Sequence, residues 1–282
     1  PCAGGVVGAR KIQGKELSFN NMLDLDAALS MTLDLKQPAC AIVKHTNPCG
    51  FAHGKDLLEA FKRAYASDPI SAFGSVISFN GCVDKKTAET LLKTLFVECV
   101  IAKDFDKAAV EVFKQKKNCR LLAADFAKGG SKCDFKKISG GLLVQDRDVK
   151  DPLESDLKVV TKLKPRKGQI ADLLFAFRVC RYAKSNTIVI AKNLATLGMG
   201  MGQPSRVDSC QTACVKAGKR ARGAVLASDG FFPKPDSIAL AKKAGISAII
   251  QPGGSILDQT IIDACDKARI AMVFTGIRHF TH

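Results

Sequence analysis

The sequence predicts an α/β fold in which helices cover a largely parallel β-sheet. Two observations predict it. Short apolar segments alternate along the chain with longer segments whose apolar residues recur at helical spacing. The composition is that of an ordinary globular protein, with 46% hydrophobic and 25% charged residues, 16 Phe and no Trp among 282 residues. A chain of this length buries a substantial core and has room for about two domains.

The predicted strands are short runs of apolar and β-branched residues bounded by turn-forming residues. In chain order they are residues 39–43, 75–79, 97–102, 187–191, 224–227, 247–250 and 269–274. Two amphipathic segments, 56–66 and 169–184, place their apolar residues on one face and are predicted as helices that pack on the sheet.

A polar and charged stretch, residues 145–168, interrupts this alternation and contains Pro152 and Pro165. It predicts a domain boundary. The two halves share no sequence match long enough to indicate a repeat. The predicted organisation is a first domain over 1–150, a linker over 151–168 and a second domain over 169–282.

The chain is strongly basic, with 43 Lys and Arg against 27 Asp and Glu and a formal net charge of +16. Such a field attracts anions, either nucleic acid or small phosphorylated and carboxylated substrates. Much of the excess lies in 103–137, a pattern typical of a solvated basic face. No apolar run approaches the roughly 20 residues of a membrane span, and no leader is recognised, so no membrane partner is expected.

Cysteine usage points to a reducing compartment. The 11 cysteines are odd in number and form no C-x-x-C pair, which favours free thiols over a disulfide framework and predicts a cytoplasmic protein. With four histidines scattered along the chain, no zinc or other metal site is predicted.

The first candidate site is Lys44-His45, directly after the strand predicted over 39–43. Residues beyond the carboxyl end of a strand line the ligand crevice of open α/β sheets. An imidazole beside a cation suits a general base with a neighbouring charge stabiliser. Pro48 and Gly50 are predicted to form a tight turn. The alternative is a histidine that caps the turn beside a surface lysine.

The second candidate is Asn186, between the helix over 169–184 and the strand over 187–191. Its carboxamide offers two donors and an acceptor to a planar polar ligand. The alternative is an asparagine that satisfies its own turn.

A glycine-rich segment, 197–206, is predicted as a loop that leads into a helix over 207–217. Glycines let a backbone approach a ligand, a helix amino terminus favours anions, and Arg206 adds a fork for phosphate or carboxylate. The glycine spacing is not that of the dinucleotide-binding fingerprint.

Two more segments follow predicted strands. In 227–236, Phe231 and Phe232 are adjacent in a loop, so one of them is expected to face a flat aromatic ligand, with a core-filling pair as the alternative. In 251–255, glycines leave backbone amides free. The tail, 274–282, carries Arg278.

These segments, in this order, resemble the carboxyl-terminal formyltransferase domain of the bifunctional AICAR formyltransferase/IMP cyclohydrolase family. The similarity covers nearly the whole chain. The matching strings are 13–21, 44–50, 71–74, 185–186, 200–206, 228–233, 251–255 and 274–282.

The resemblance implies two cytidine-deaminase-like subdomains, with three-layer sheets flanked by helices and without the deaminase zinc. It implies formyl transfer from 10-formyltetrahydrofolate to the 5-amino group of AICAR, which gives FAICAR in de novo IMP biosynthesis. It also implies a homodimer with active sites at the interface and fusion to an IMP cyclohydrolase domain.

The resemblance also assigns roles to individual residues. Lys44, His45 and Asn186 match catalytic residues. Gly74, Glu98, Arg206 and Arg278 match nucleotide contacts, whereas the folate-side contacts are Val207, Phe231, Asp236, Ser255 and Ile256. No metal takes part in catalysis, and a structural monovalent cation near Asp229 and the carboxyl tail is the one ion that the family suggests.

One departure from the family pattern lies at the start of the chain. The formyltransferase domain normally opens with an Arg-Tyr-Gly-x-Asn-Pro-His-Gln segment that grips the nucleotide phosphate, and the sequence begins at Pro1, beyond that segment. An alternative function is therefore that of a truncated, weakly active or inactive fragment that serves as a dimerisation domain. A basic nucleic-acid-binding protein is a further alternative, although no binding module is recognisable.

Overall fold

The computed structural model describes residues 4–33, 35–126 and 132–282. The strands are β1 Arg10–Gln13, β2 Ala39–Lys44, β3 Asn47–His53, β4 Ser75–Val83, β5 Val97–Phe105, β6 Arg120–Ala123, β7 Cys133–Ile138, β8 Gly141–Asp146, β9 Lys158–Val159, β10 Ile188–Lys192, β11 Ala195–Gly200, β12 Val225–Ser228, β13 Ala248–Gln251 and β14 Ala271–Phe274. The helices are α1 Phe19–Thr32, α2 Leu57–Tyr65, α3 Lys85–Thr94, α4 Lys107–Phe113, α5 Lys167–Cys180, α6 Arg206–Ala217, α7 Asp236–Ala244 and α8 Asp258–Ala268.

Twelve strands form one mixed sheet in the order β1-β6-β5-β4-β2-β3-β11-β10-β12-β13-β14-β9. Only β4–β5, β5–β6, β12–β13 and β13–β14 are parallel neighbours within it. The α/β class is confirmed, but the prediction of a largely parallel sheet is wrong. Two antiparallel hairpins, β2–β3 and β10–β11, occupy the centre, and their second strands were not recognised in the sequence.

Helices cover both faces of the sheet. Alternate residues of β2 point to opposite sides: Ala41 and Val43 pack in one core with α1 and α5, whereas Cys40 and Ile42 pack in another with α2 to α4. A third core lies beneath α6 to α8. Within the described residues, no helix has the length and apolar character that crossing a bilayer requires.

The two halves repeat the same topology. Each begins with an edge strand and a long helix, continues with the central hairpin, and ends with three strands that alternate with helices. In the first half the elements are β1, α1, the β2–β3 hairpin and β4 to β6; in the second they are β9, α5, the β10–β11 hairpin and β12 to β14. The halves join where Ala52 of β3 pairs with Ala195 of β11.

The repeat extends to single side chains. Asp24, the sixth residue of α1, accepts a hydrogen bond from the backbone N–H of Thr46 at 2.6 Å. Asp172, the sixth residue of α5, accepts from the N–H groups of Asn193 and Leu194 at 2.9 and 2.7 Å. A buried or half-buried carboxylate therefore holds the turn of each central hairpin in the same way.

The glycine-rich segment divides between strand and loop: residues 197–200 end β11, and residues 201–205 form the predicted loop that leads into α6. Gly198 and Gly200 lie in β11, and a Cβ atom on Gly200 would overlap the carbonyl of Ser209 in α6. These glycines let α6 approach the sheet closely, so helix packing explains them and ligand approach does not. Gly50 of β3 has the same function against Ala64 of α2.

The predicted linker, 151–168, contains β9, which pairs with β14 and completes one edge of the sheet. Residues 1–3 and 127–131, which belong to the predicted first domain, lie outside the described residues. The division into two domains stays a prediction.

Candidate functional site

Most of the candidate residues lie along one edge of the sheet, here the edge that is formed by the ends of the strands and not by an outer strand. The β2–β3 turn reaches this edge, together with the amino ends of β4 and β5, because β2 pairs antiparallel with β4. In the second half the same edge carries the carboxyl ends of β12 and β13, because β10 starts there and pairs antiparallel with β12. The rule that ligand crevices lie at the carboxyl ends of parallel strands therefore applies, at this edge, to the second half only.

Lys44 ends β2, and its side chain is anchored to the backbone of the next crossover. The Nζ atom donates to the carbonyl of Phe73 at 2.7 Å, and it lies beside Gly74, whose φ of 70° places it in the left-handed region. The N–H of Gly74 donates to the carbonyl of Phe96 at 2.8 Å. In the part of the chain that the structure describes, the bond to Phe73 is the one hydrogen bond of the Lys44 ammonium, which leaves two of its N–H groups for an anionic ligand.

His45 and Thr46 are the two central residues of the β2–β3 turn, with φ values of 53° and 59°. The tight turn predicted at Pro48 and Gly50 is thus displaced, since both of those residues lie within β3. Two residues with positive φ match the twist of a two-residue hairpin. The His45 side chain is exposed, and no partner for its imidazole is found among the described residues.

Glu98 of β5 forms an ion pair with Arg120 of β6, with 2.9 Å between Oε2 and Nη1. The pair borders a cavity of 520 Å³ that also includes Phe96 and three lysines, of which Lys15 is one. The ring centroids of Phe73 and Phe96 are 5.5 Å apart, and both side chains are exposed. This part of the edge offers apolar surface beside a paired carboxylate.

Asn186 is held from three sides. Its Nδ2 donates to the carbonyls of Gln203 and Pro204, each at 2.9 Å, and its Oδ1 accepts from Nη2 of Arg206 at 2.6 Å. The carboxamide is therefore oriented by the protein, and one lone pair of Oδ1 remains for a ligand.

Arg206 begins α6 and is 8% exposed. Besides Asn186, its guanidinium donates to the hydroxyl of Ser228 at 2.9 Å and forms an ion pair with Asp229, which is fully buried. In this arrangement internal partners engage both N–H groups of Nη1 and one N–H group of Nη2.

Two buried polar atoms near this group have no hydrogen-bond partner in the described part of the chain: Oδ2 of Asp229 and Nε2 of His279. The other ring nitrogen of His279 lies 2.7 Å from Asp148. The backbone N–H of His279 donates to the carbonyl of Asp229 at 3.0 Å, so the carboxyl tail is anchored on the end of β12.

The tail closes over the Asn186 segment. Ser185 donates its backbone N–H to the carbonyl of Thr281 at 2.8 Å, and Phe280 lines a 340 Å³ cavity together with Asn186. Arg278 is exposed, and its guanidinium lies 5.6 Å from the centroid of the Phe280 ring. Of the two arginines predicted to contact the nucleotide, only Arg278 is open to solvent.

The folate-side residues follow β12 and β13. Phe231 is half-buried, whereas Phe232 is 1% exposed and belongs to the core beneath α6 to α8, so the adjacent pair divides between surface and core. Asp236 begins α7 and is exposed; Ser255 accepts a hydrogen bond from the N–H of Leu257. The remaining two are Val207, half-buried in α6, and Ile256, which is fully exposed.

A hydrogen bond of 3.3 Å from the N–H of Lys184 to Oδ1 of Asn47 links the two groups of residues. It brings the segment that carries Asn186 to the hairpin that carries Lys44 and His45. Sequence reasoning did not find Asp24, which holds the turn, or the role of Asp229 as the partner of Arg206. Neither carries a local sequence signal, because each acts through a distant segment.

The described lysines of the basic stretch over 103–137 are distributed over β5, α4 with the turn that follows it, and β7 with the residue before it. Lys128 lies outside the described residues. Among the residues that the structure describes, no group of three or more His, Cys, Asp or Glu side chains is arranged to hold a metal ion.

Comparison with known proteins extends this account. The family model described as AICARFT/IMPCHase bienzyme matches residues 2–216. Proteins named bifunctional purine biosynthesis protein PurH are similar over 98–99% of this chain: 50% identical in Thermoanaerobacter sp. (strain X514), 48% in Rhodospirillum rubrum and 48% in Caldicellulosiruptor saccharolyticus. The chain spans 54–55% of the length of these relatives.

Proposed function

The chain belongs to the AICARFT/IMPCHase bienzyme family, and from this membership we propose that it carries the formyltransferase activity. The reaction transfers a formyl group from 10-formyltetrahydrofolate to the 5-amino group of AICAR and gives FAICAR on the route to IMP. The single observation that carries the proposal is 50% identity over 99% of the chain to a bifunctional purine biosynthesis protein.

The 5-amino group of AICAR is a poor nucleophile because its lone pair is delocalised into the imidazole ring. His45 takes the proton that this group loses as its nitrogen bonds to the formyl carbon. The exposed and unpaired imidazole supports this role, since no internal hydrogen bond among the described residues has to be broken first.

Lys44 stabilises the oxyanion of the tetrahedral intermediate and supplies the proton that the departing tetrahydrofolate nitrogen gains as its bond to the formyl carbon breaks. Its anchoring to the Phe73 carbonyl supports this role, because a fixed ammonium needs little reorganisation when charge develops. Asn186 orients the carboxamide of AICAR, which lowers the entropic part of the barrier.

The substrate contacts belong to the same proposal. Gly74, Glu98, Arg206 and Arg278 bind the nucleotide, and the folate lies against Val207, Phe231, Asp236, Ser255 and Ile256. The half-buried ring of Phe231 supports a role in stacking on the folate. The ion pair of Arg206 with Asp229 favours an indirect role for Arg206 in nucleotide binding.

We place a structural monovalent cation beside Asp229. The unpartnered Oδ2 of this buried carboxylate fits such an ion, because a buried charge requires compensation. The ion would supply charge balance and hold the tail, with no part in the transfer itself.

A homodimer and a fused cyclohydrolase domain complete the proposal. The β7–β8 hairpin is a separate two-stranded sheet, and it exposes the apolar side chains Phe135, Leu142, Leu143 and Val144. Such a hairpin is marginally stable alone, so contacts with a second copy would stabilise it. We also place the protein in the cytoplasm, where its cysteine thiols would stay reduced.

The experiment that tests the function follows tetrahydrofolate release with AICAR and 10-formyltetrahydrofolate, both for this chain and for one extended at its amino terminus. We expect turnover with the nucleotide. No transfer by either chain would refute the proposal. Equal preference of both chains for the nucleotide over its nucleoside would show that residues 1–282 already hold the phosphate.

A further inference from the structure

A third cavity, of 430 Å³, opens at the edge of the sheet opposite Lys44. It lies at the carboxyl end of β4, between the amino-terminal turns of α2 and α3 and the segment that precedes β2. Carboxyl ends of parallel strands commonly form ligand crevices, and β4 and β5 are parallel here. The lining residues that matter most are Lys36, Lys55, Asp56, Asp84, Lys86 and Lys103.

The four lysines around this cavity have exposed side chains. In the described ranges none of them takes part in an ion pair, although Lys85, the neighbour of Lys86, pairs with Glu89 at 3.8 Å. The Lys103 ammonium lies 5.7 Å from the centroid of the Phe126 ring. Four ammonium groups thus lie around one opening, and none of them is ion-paired within the described residues.

The acidic and amide groups of the lining are already engaged. Asp56 accepts from the N–H of Glu59 at 2.7 Å and Asp84 from the N–H of Thr87 at 2.8 Å, so each caps a helix. Asn80 donates its side-chain amide to the carbonyls of Leu35 and Gln37, which precede β2. Its Oδ1 accepts from the N–H of Ala39, the first residue of β2. Within the described residues, the four ammonium groups are the charged groups of the lining that have neither a hydrogen-bond nor an ion-pair partner.

The internal repeat shows what this cavity corresponds to. The interval that separates Lys44 from Lys192 also separates Pro38 from Asn186 and Leu58 from Arg206. Strand pairing gives a third equivalence. In the first half Phe79 pairs with Cys40 and is followed by Asn80. In the second half Ser228 pairs with Ile188 and is followed by Asp229, so Asn80 and Asp229 occupy equivalent positions. The cavity is thus the first-half counterpart of the crevice around Asn186. Apolar Pro38 and Leu58 stand where the second half has Asn186 and Arg206, and Asn80 stands in the position of Asp229.

We propose that this cavity is a binding site for a small polyanion whose phosphate or carboxylate groups are held by Lys36, Lys55, Lys86 and Lys103. Leu57 and Leu58, which also line it, would contact the apolar body of the ligand. Its volume suits a small metabolite. Because Pro38 and Leu58 replace Asn186 and Arg206 here, the site binds without formyl transfer, and it is independent of the proposed function.

The test is calorimetric titration of the whole chain with three probes: pyrophosphate, ribose 5-phosphate and glutarate. The first two represent phosphate ligands and the third a dicarboxylate. Their order of affinity therefore shows whether the site prefers phosphate or carboxylate groups. Lys86→Glu should weaken binding of the preferred probe about tenfold or more, since it replaces a charge-assisted contact by repulsion. Lys85→Glu is the matched control, with the same change in net charge one residue away, and should weaken it much less.

Cys82 provides a second measurement that needs no charge variant, because its exposed thiol lines the cavity. The preferred probe should slow alkylation of Cys82 in the otherwise unaltered chain, with Cys82→Ser as the blank. Equal weakening by Lys85→Glu and Lys86→Glu would assign the binding to the general field of the basic protein and overturn the proposal. Unprotected Cys82 at saturation, or no saturable binding, would overturn it as well.

Discussion

Lys44 and Lys192 occupy equivalent positions in the two halves of the protein. Each ends the first strand of a central hairpin and donates its ammonium to a backbone carbonyl, that of Phe73 at 2.7 Å and that of Arg222 at 3.1 Å. Gly74 and Gly223 follow these carbonyls, both with a φ of 70°. The second half therefore contains an internal control for the proposed catalytic lysine.

Lys44→Ala should lower kcat by roughly 10²- to 10³-fold, the usual effect of removing one oxyanion stabiliser. Lys192→Ala loses the same bond in the same backbone setting, so both variants should lose about 0.5–1.5 kcal/mol of unfolding free energy. Turnover and urea unfolding of the two variants check this. Similar turnover in both would remove Lys44 from the mechanism.

His45→Asn should lower kcat by roughly 10²- to 10⁴-fold, the range for loss of a general base. The corresponding turn already has Asn193 with a φ of 53°, and asparagine tolerates the left-handed region. The turn should therefore persist, and nucleotide affinity measured by calorimetry should change little. Asn193→His is the matched control and should leave kcat unchanged; activity of His45→Asn near that of the unaltered chain would contradict the assignment.

Asp229→Asn should lower the unfolding free energy by about 3–5 kcal/mol, because it leaves the buried guanidinium of Arg206 without its counter-charge. Glu89→Gln removes an exposed ion pair with Lys85 and should cost at most about 1 kcal/mol. Urea unfolding measures both. A similar small cost in the two variants would show that Arg206 is compensated by other groups.

Phe231→Ala should weaken folate binding while leaving the fold intact, since the ring is half-buried at the surface. Phe232→Ala should instead cost about 3–5 kcal/mol of unfolding free energy, because that ring fills the core. Folate titration and thermal unfolding separate the two effects. Unchanged folate affinity in a folded Phe231→Ala variant would make this ring a packing residue.

His53 should make the protein less stable in acid. Burial lowers the pKa of its imidazole, and the nearby Arg178 and Arg63 act in the same direction, although a hydrogen bond with the backbone of Pro38 opposes them. The unfolded chain then binds the proton at higher pH than the folded one, so the unfolding free energy falls as pH drops through about 6.5. His53→Gln should flatten this dependence, and His282→Gln, at the exposed tail, should not; equal slopes in all three proteins would contradict the prediction.

The strands predicted from local sequence were all confirmed, because each is a short apolar run bounded by turn residues. The strand β3 was not predicted because Pro48 and Gly50 are residue types that favour turns. Gly50 is instead required within the strand by the close approach of α2. The strand β11 was missed for the same reason, since Gly198 and Gly200 serve helix packing. Local patterns report backbone preference, and close packing between distant segments overrides them.

The sequence by itself determined the α/β class and the family, and it singled out the candidate residues, because family motifs and apolar periodicity are local properties of the chain. Only the tertiary structure decided that Lys44 rests on Phe73, that Arg206 turns inward to Asp229 and Asn186, and that Asp24 and Asp172 hold equivalent turns. Each of these contacts joins segments far apart in sequence. Their partners are selected by strand pairing and helix packing, which no local pattern encodes.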